Sequence, residues 1–452
     1  MKRYQIVLFL FGVIAVLAAL CAVFPEDGLL GLRFPKLGEV LSASDTEKGP
    51  SPEELIEQRR QAVLSAERDQ YQAFFKEDPA RFSLPGDDVR FFDSLFEAFE
   101  RAGEEPVRVV HYGDSQIEED RITGTIRERL QERFGGSGPG MMPARTYATP
   151  RVGGGSSAGL RRFFIYGDAS YRAGIRKYGP YADFTRLDTV TTLSYYPIRN
   201  KEKGQSVFDG ATLVAGNLRS TLHVSSRGDK RTVEPGDPVV LVHFDLPDSS
   251  ARASITVAGS ADLYGVLLDS RTGVRVDNVP MRGASGGFFT AMDSAQLREF
   301  YQSENVRLIL LQYGGNSVPY LKTDKAIANY LESIRNQIRH LYGLAPEAKI
   351  VFVGPSDMST VVGGKRRTYP MLPAFVDSLK ASATQCGAAY WDIFAAMGGE
   401  GSMNEWVAAR PALAGSDYVH FTLAGSGKVG TMFCDALFLY YDYYRWRKEN
   451  ER

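Results

Sequence analysis

Hydrophobic positions before residue 151 and after residue 275 alternate between short continuous runs and amphipathic stretches. The apolar runs are PVRVVHY, which ends at Tyr112, and those at 306–313, 348–354 and 388–394. Continuous runs of this length are typical of strands buried on both faces of a parallel sheet. Helical periodicity is found between and after them, over 117–134, 325–342, 371–385 and 423–446. The alternation predicts an α/β fold in which helices cover both faces of a parallel sheet.

A different pattern interrupts this alternation over residues 151–275. Short runs of β-forming residues follow one another there, separated by turn sequences such as RGDK, EPGD and DSRTG. Short strands at close spacing are typical of a β-sandwich. We therefore predict an α/β domain made of residues 89–150 and 276–452, with a β-sandwich inserted between its two parts.

The N-terminus has the charge pattern of an exported protein. Lys2 and Arg3 precede a segment without charge that extends from Tyr4 to Pro25. About 20 apolar helical residues span a bilayer, and a positive flank favours the cytoplasmic side. We expect residues 1–27 to form a signal anchor in the inner membrane, with the rest exported to the periplasm. A cleaved signal peptide and a secreted protein are the alternative.

Residues 28–88 are predicted to be a linker followed by a helical region. Residues 26–51 mix glycine, proline, serine and charged residues, as linkers do. The helix after them has a start signal, since Ser51 and Glu54 have the spacing of a capping box and Pro52 suits the first helical position.

Composition excludes some functions. The 452 residues have a formal net charge of −1, so no broad basic surface indicates a nucleic-acid partner. Of the three cysteines, Cys21 lies in the apolar segment, and Cys386 and Cys434 are either a disulfide or two buried thiols. No spacing of cysteine and histidine suggests a metal site, and no complete phosphate-binding loop is present, so neither metal nor cofactor is expected.

The sequence HYGDSQIEED, residues 111–120, places Ser115 in a turn between a predicted strand and a predicted helix. A serine hydroxyl is a weak nucleophile and requires a base and an oxyanion hole. A helix start directs backbone N–H groups at a bound anion, which suits such a role. A capping turn without catalytic function explains the same residues.

His420 is the best candidate for the base among five histidines. It lies in SDYVHFTLAG before the last predicted helix, three residues after Asp417. At that spacing the carboxylate can reach one imidazole nitrogen and leave the other to face a serine. His111 is expected to support the site from a packed position, and the alternative for Asp417 and His420 is an ordinary turn before a helix. The remaining histidines are His223, His243 and His340.

Two further residues are candidates for an oxyanion hole. Asn316 follows the apolar run 306–313, and open α/β sheets bind ligands at the carboxyl ends of their strands. Its side-chain amide can donate to an oxyanion, although asparagine is also common in turns. Gly283, in MRGASGG, offers a backbone N–H.

The set and its order resemble the SGNH hydrolase superfamily, also called GDSL esterases. The matching blocks are GDS at 113–115, Gly283, GGN at 314–316 and DYVH at 417–420. The resemblance implies a three-layer, flavodoxin-like fold. It also implies a triad of Ser115, His420 and Asp417, and an oxyanion hole made by Ser115, Gly283 and Asn316. One departure is Gln116, where many relatives have leucine, and this position is not expected to take part in the chemistry.

With the inserted sandwich, the chain is similar to envelope peptidoglycan and polysaccharide O-acetylesterases. That resemblance implies a serine esterase that removes O-acyl groups, acetyl first among them, from an envelope glycan, and a sandwich that binds carbohydrate. Two alternatives stay open. One is an O-acetyltransferase of the same fold that works with a membrane acyltransferase or acyl donor, and the other is a glycan-binding protein without catalysis.

Overall fold

The computed structural model describes residues 3–23, 35–36, 38–39, 51–145, 152–157, 159–197, 207–250 and 252–451. The chain divides into two compact units, Met1–Gln70 and Tyr71–Arg452. The first contains helix α1, Arg3–Val23, and most of α2, Pro52–Glu77. In the described part of the chain, no helix combines the length and the low polarity that crossing a membrane requires. The anchor predicted over residues 1–27 stays a prediction.

The predicted capping box at the start of α2 is present. The Ser51 N–H donates to Glu54 Oε2 at 2.6 Å, and the Glu54 N–H donates to Ser51 Oγ at 3.1 Å. These bonds satisfy two N–H groups that a helix start otherwise leaves without partners. The sequence therefore identified this helix start correctly.

The second unit is built on a six-stranded sheet. Its strands, in chain order, are β1 (Phe82–Ser83), β2 (Val107–Gly113), β14 (Val274–Pro280), β15 (Val306–Gln312), β16 (Lys349–Val353) and β19 (Ala389–Trp391). Their order across the sheet is β1-β19-β16-β15-β2-β14. All neighbours are parallel except the edge pair β1 and β19, which is antiparallel. The α/β prediction is confirmed, with an antiparallel edge strand added.

Strand β14 was not predicted. The segment VRVDNVP contains three polar residues, yet it pairs with β2 along its whole length, from Val274 with Val107 to Pro280 with Gly113. Buried Asp277 accepts hydrogen bonds from Arg108 and from the Met141 N–H, so residues distant in sequence satisfy its carboxylate. The second part of the α/β domain therefore begins at Val274, slightly before the predicted residue 276.

Helices cover both faces of the sheet and form two cores. One core contains side chains of α5 (Ser294–Ser303), α6 (Asp324–Leu344) and α7 (Leu372–Gln385). The other contains side chains of α3 (Asp93–Glu100), α4 (Arg121–Phe134) and α10 (Leu423–Asn450). Two short helices, α8 (Ile393–Ala396) and α9 (Ser402–Ala408), precede the last one. This is the three-layer arrangement that the alternating pattern predicted.

Between β2 and β14 the chain forms two antiparallel sheets. The strands are β3 (Gly140–Met142), β4 (Val152–Ser156), β5 (Arg162–Phe164), β6 (Asp183–Leu187), β7 (Val190–Pro197), β8 (Phe208–Gly216), β9 (Leu222–Ser226), β10 (Asp229–Val233), β11 (Val240–Ser250), β12 (Ala253–Ala258) and β13 (Ala261–Asp269). One sheet has the order β10-β9-β12-β7-β4, and the other β11-β8-β13-β6-β5 with β3 paired to β13. Residues of both sheets share one buried core, so the insertion is a two-sheet sandwich. Its strands begin at Gly140, earlier than the predicted 151.

The two candidate partner cysteines are both free. Cys386 follows α7 and is half-buried, whereas Cys434 is buried within α10. Burial raises the pKa of the Cys434 thiol to about 12, so it behaves as a small apolar side chain.

Candidate active site

Ser115 lies directly after β2, at the carboxyl end of the central sheet. Its Oγ is 2.8 Å from Nε2 of His420, and Nδ1 of His420 is 2.7 Å from Oδ2 of Asp417. When Nδ1–H donates to the carboxylate, Nε2 is left as an acceptor for the serine hydroxyl. The structure thus brings together three residues separated by as many as 305 positions.

The turn that holds Ser115 differs from the predicted helix start. Residues Ser115–Asp120 form a short 3-10 segment, and helix α4 begins at Arg121 rather than at 117. Glu119 and Asp120 have φ of 59° and 62°, a left-handed backbone that interrupts a helix. Glu118, Glu119 and Asp120 therefore precede the long helix and do not lie in its first turn.

Ion pairs explain that acidic run instead. Asp120 accepts two hydrogen bonds from the buried guanidinium of Arg127, at 2.6 and 2.9 Å. Glu118 pairs with Arg282 at 2.5 Å. The first pair ties the turn to α4, and the second ties it to the loop that carries Gly283.

The loop of His420 is shaped by its own aspartate. Oδ1 of Asp417 accepts the N–H groups of Val419 and His420, at 3.0 and 3.1 Å, while Oδ2 contacts the imidazole. Tyr418, which lies between Asp417 and Val419, has φ of 59°, in the left-handed region. Burial raises the pKa of the Asp417 carboxyl, but the hydrogen bonds from His420 and Val419 outweigh burial, so the pKa lies below its usual value. The carboxylate therefore stays charged and orients the ring.

Two predicted oxyanion donors are available. Among the described residues, neither the Ser115 N–H nor the Gly283 N–H donates to another group. Gly283 has φ of 79°, and a Cβ built there would meet no atom within 4 Å. Glycine is thus favoured at this position by backbone conformation and not by lack of space.

Asn316, the third predicted donor, is engaged elsewhere in this structure. Its Nδ2 donates to Asp114 Oδ2 at 3.1 Å and to the Ala284 carbonyl at 3.0 Å. These two acceptors use both hydrogens of the amide. Asn316 would therefore have to release one of them before it could donate to a substrate oxyanion.

Asp114 connects the serine turn to Asn316. Its Oδ1 accepts the Gln116 N–H at 2.9 Å, while Oδ2 accepts from Asn316. Its side chain is buried, and this burial raises the pKa of the carboxyl to about 6, although the Gln116 N–H and the neighbouring His420 act in the opposite direction. Burial thus brings the pKa of a carboxyl group next to Ser115 closer to neutral pH.

The hydrogen bonds of Gln116 to the loop of His420 were not predicted from the sequence. Its Nε2 donates to the Val419 carbonyl at 2.7 Å, and its Oε1 accepts the Phe421 N–H at 3.3 Å. Both partners flank His420, so one amide joins the serine turn to the histidine loop. Only its departure from the usual leucine set this position apart in the sequence, and its partners lie about 300 residues away.

His111 is buried one layer below the site. Its Nε2 is 3.1 Å from Gln312 Oε1, and its Nδ1 is 2.9 Å from Thr123 Oγ1. Burial lowers the pKa of the imidazole to about 3, so it is neutral and joins β2 to β15 and α4. The supporting position predicted for it agrees with this arrangement.

An open cleft of about 480 Å³ surrounds the three residues. Its lining includes Ser115, Gly283, Asn316, Met358, Asp417 and His420. All the predicted site residues therefore border one cavity at the carboxyl ends of the parallel strands, where open α/β sheets bind ligands. No group of three or more histidine, cysteine or carboxylate side chains in the described residues is placed to hold a metal ion.

Residues 248–428 match the GDSL-like lipase/acylhydrolase family. The matched segment contains Gly283, Asn316, Asp417 and His420 but ends well short of Ser115 on its N-terminal side. The fold supplies the missing serine by placing β2 next to β14 and β15. No curated protein sequence matches the chain.

A solved structure of a peptidoglycan O-acetylesterase has a similar fold. It superposes with a TM-score of 0.63 and 19% sequence identity, over 80% of this chain and 99% of that chain. A family two carbohydrate esterase from Cellvibrio japonicus matches at 12% identity, over 67% of this chain and 98% of that chain, with a TM-score of 0.27. The corresponding esterase from Clostridium thermocellum, in complex with cellohexaose, matches at 9% identity over 60% and 99%, with a TM-score of 0.26. The first of these supports a common fold.

The fold and the family match define the class of protein: a carboxylic ester hydrolase of the SGNH type. Residues 248–428 are similar to the GDSL-like lipase/acylhydrolase family, and the fold resembles that of a peptidoglycan O-acetylesterase.

Proposed function

We propose that the chain is a serine esterase that removes O-acyl groups, acetyl first among them, from a cell-envelope polysaccharide. The observation that carries the proposal is the hydrogen-bonded series from Ser115 Oγ through His420 to Asp417, at 2.8 and 2.7 Å, inside an open cleft. The similarity in fold to a peptidoglycan O-acetylesterase favours an acetylated glycan as substrate.

The proposed reaction is acyl transfer in two steps. His420 takes the hydroxyl proton of Ser115 as Oγ attacks the ester carbonyl carbon, and it then gives that proton to the departing sugar oxygen. Water next attacks the acyl-serine while His420 takes its proton; the bond between the acyl carbon and Oγ then breaks, His420 returns the proton to Oγ, and acetate leaves. Asp417 holds the imidazole through Nδ1 and stabilises its protonated form.

The oxyanion hole forms in part before substrate binds. The N–H groups of Ser115 and Gly283 are available, and the Asn316 amide joins them after it releases the Ala284 carbonyl. One such donor typically contributes about 2.7–4 kcal/mol of transition-state stabilisation. Part of the binding energy of the substrate would therefore be used to reorient Asn316.

Acetate release from O-acetylated peptidoglycan, and from other O-acetylated envelope polysaccharides, tests this proposal. The purified full chain is compared with Ser115→Ala, and Ser303→Ala is a matched control because Ser303 is exposed at the end of α5. We expect release by the wild type and the control but not by Ser115→Ala. Transfer of acetyl to an added glycan without hydrolysis would instead indicate a transferase, and binding without either reaction would indicate a glycan-binding protein.

We also propose that the catalytic unit acts outside the cytoplasm and is attached to the inner membrane through residues 1–27. Lys2 and Arg3 before an uncharged segment support this orientation. Fractionation of cells that express the full chain tests it: recovery with the inner membrane supports an anchor, and recovery as a shortened periplasmic protein indicates a cleaved leader.

A further inference from the structure

A short hairpin stands beside the cleft and has no role in the reaction described above. It consists of β17 (Ser359–Val362) and β18 (Lys365–Thr368). Gly363 and Gly364 join them with φ of 58° and 76°, as a tight two-residue turn requires. The hairpin is therefore a defined structure rather than an irregular loop.

This hairpin concentrates positive charge at the surface. All residues from 361 to 367 are exposed, and they include Lys365, Arg366 and Arg367 but no acidic residue. Within the described part of the chain, none of these three cations forms an ion pair. A chain with a net charge of −1 thus carries three adjacent cations without counterions at this place.

The hairpin is attached to the loop that carries the histidine. The Ser359 N–H donates to the Tyr418 carbonyl at 3.2 Å. The guanidinium of Arg366 lies 3.8 Å from the centre of the Tyr418 ring. Met358, the residue before the hairpin, lines the cleft itself. The hairpin therefore adjoins the loop of His420 and follows a residue that borders the cleft.

The two faces of the hairpin differ in their contacts. Arg366 lies on the face that contacts Tyr418. Lys365 pairs with Val362 and Arg367 pairs with Thr360, which places both cations on the opposite face. Residues two apart on a strand are about 7 Å apart, so these two charges are separated and do not converge on one point.

We propose that Lys365 and Arg367 bind a carboxylate-bearing stretch of the glycan whose acyl group enters the cleft. This inference rests on the proposed function, because it takes the cleft to be the place where the ester reacts. Separated single cations fit single negative charges spaced along a polymer, whereas one phosphate dianion calls for converging donors. A membrane surface is a less suitable partner for this hairpin. Segments that bind at membrane interfaces present tryptophan, phenylalanine or leucine, whereas the apolar residues of this hairpin are valines.

Equilibrium binding to Ser115→Ala protein tests the inference without turnover. The probes are an oligogalacturonate and the same oligomer with its carboxyl groups methyl-esterified. We expect the charged oligomer to bind more tightly, and Lys365→Ala with Arg367→Ala to weaken its binding about five- to tenfold, as two exposed ion pairs would. A tenfold rise in salt concentration should weaken the binding of the charged oligomer to protein with an unchanged hairpin by a similar factor, because salt screens ion pairs that are exposed to solvent.

A matched control removes the same charge elsewhere. Arg298 on α5 and Arg339 near the end of α6 are both exposed, and α6 ends before β16 begins, at the edge of the sheet away from the cleft. Arg298→Ala with Arg339→Ala should leave oligogalacturonate binding unchanged. An equal loss in both double variants would show a general charge effect and overturn the proposal.

Two other outcomes would also overturn it. Equal affinity for the charged and the esterified oligomer would show that carboxylates are not recognised. Hairpin-dependent binding to vesicles containing phosphatidylserine, with no binding of oligogalacturonate, would assign the surface to a membrane. The binding experiments use Ser115→Ala protein and need no catalysis. A negative binding result therefore does not affect the test of acetate release, and the binding result can be interpreted even if no acetate is released.

Discussion

The two ends of strand β2 use polar groups in opposite ways. Near its start, the buried guanidinium of Arg108 donates to Asp277, Asp269 and Glu304 at 2.5–3.1 Å. Beyond its other end, Ser115 and His420 face an open cleft, and the His420 side chain is 37% exposed. At the first end every guanidinium nitrogen has a carboxylate partner. At the second end the backbone N–H groups of Ser115 and Gly283 have no hydrogen-bond acceptor among the residues that the structure describes.

This difference fits a division in which one end of the strand supports stability and the other end supports the proposed chemistry. The Arg108 cluster joins β2 to β14, to α5 and to the last sandwich strand β13, so it connects the inserted domain to the sheet. A buried charge is tolerated only when its partners are complete. A reacting centre needs the reverse, because its spare donors must be free for charge that develops on the substrate.

The largest expected effect is at the open end. His420→Ala removes the proposed base, which contacts Ser115, so acetate release should fall about 10⁴-fold or more. Stability should change little, because the side chain is partly exposed. Parallel measurement of acetate release and of the thermal midpoint checks both; residual activity above one per cent would exclude His420 as the base.

At the buried end, Arg108→Met should do the opposite. Three carboxylates would lose their shared cation, and breaking a buried pair typically costs about 3–5 kcal/mol of unfolding free energy. Activity per folded molecule should be kept. Denaturant unfolding, combined with active-site titration, separates the two quantities, and a stable but inactive variant would contradict the division of roles between the two ends.

Asp114 lies between these extremes, since it is buried yet belongs to the site. Its pKa of about 6 exceeds the usual 3.8, so the folded state binds a proton more tightly than the unfolded state does. Wild-type stability should therefore fall as pH rises from about 4 to about 6, by about 3 kcal/mol from this group. Asp114→Asn should lack that component in denaturant unfolding across this range. Identical pH profiles for both proteins would refute the assignment.

The smallest expected effect is at Gln116. Gln116→Leu keeps the size of the side chain but loses the bonds to Val419 and Phe421, each worth about 1 kcal/mol. We expect kcat on a small acetyl ester to fall about tenfold with little change in KM, because the position of His420 changes and the cleft does not, and we expect the thermal midpoint to fall by a few degrees. A rise in KM alone would argue against a positioning role.

Much of the site was accessible from the sequence because its parts are local signals. Gly113–Ser115 follows an apolar strand, and Asp417 stands three residues before His420, so each block is recognisable within a few residues. The alternation of apolar runs and helices predicted a parallel sheet, whose carboxyl ends meet at one edge. These features predicted correctly that the blocks come together.

Other features could not be predicted because they depend on partners far along the chain. Strand β14 contains polar residues that a sequence pattern does not assign to a buried strand. In the fold, Arg108 donates a hydrogen bond to Asp277, and Thr123 donates one to Asn278. The late start of α4 reflects the pairing of Asp120 with Arg127, and the sandwich begins early because β3 pairs with β13, more than 120 residues later.

By itself, the sequence predicted the α/β architecture with an inserted sandwich and the candidate serine, histidine and aspartate, because strand periodicity and turn spacing are local properties of the chain. Only the tertiary structure decided that Gln116 holds the histidine loop, that Asn316 is engaged by Asp114 and Ala284, and that a basic hairpin stands beside Tyr418. Each of these depends on hydrogen bonds or contacts between residues distant in sequence, which form only when the sheet brings its strand ends together.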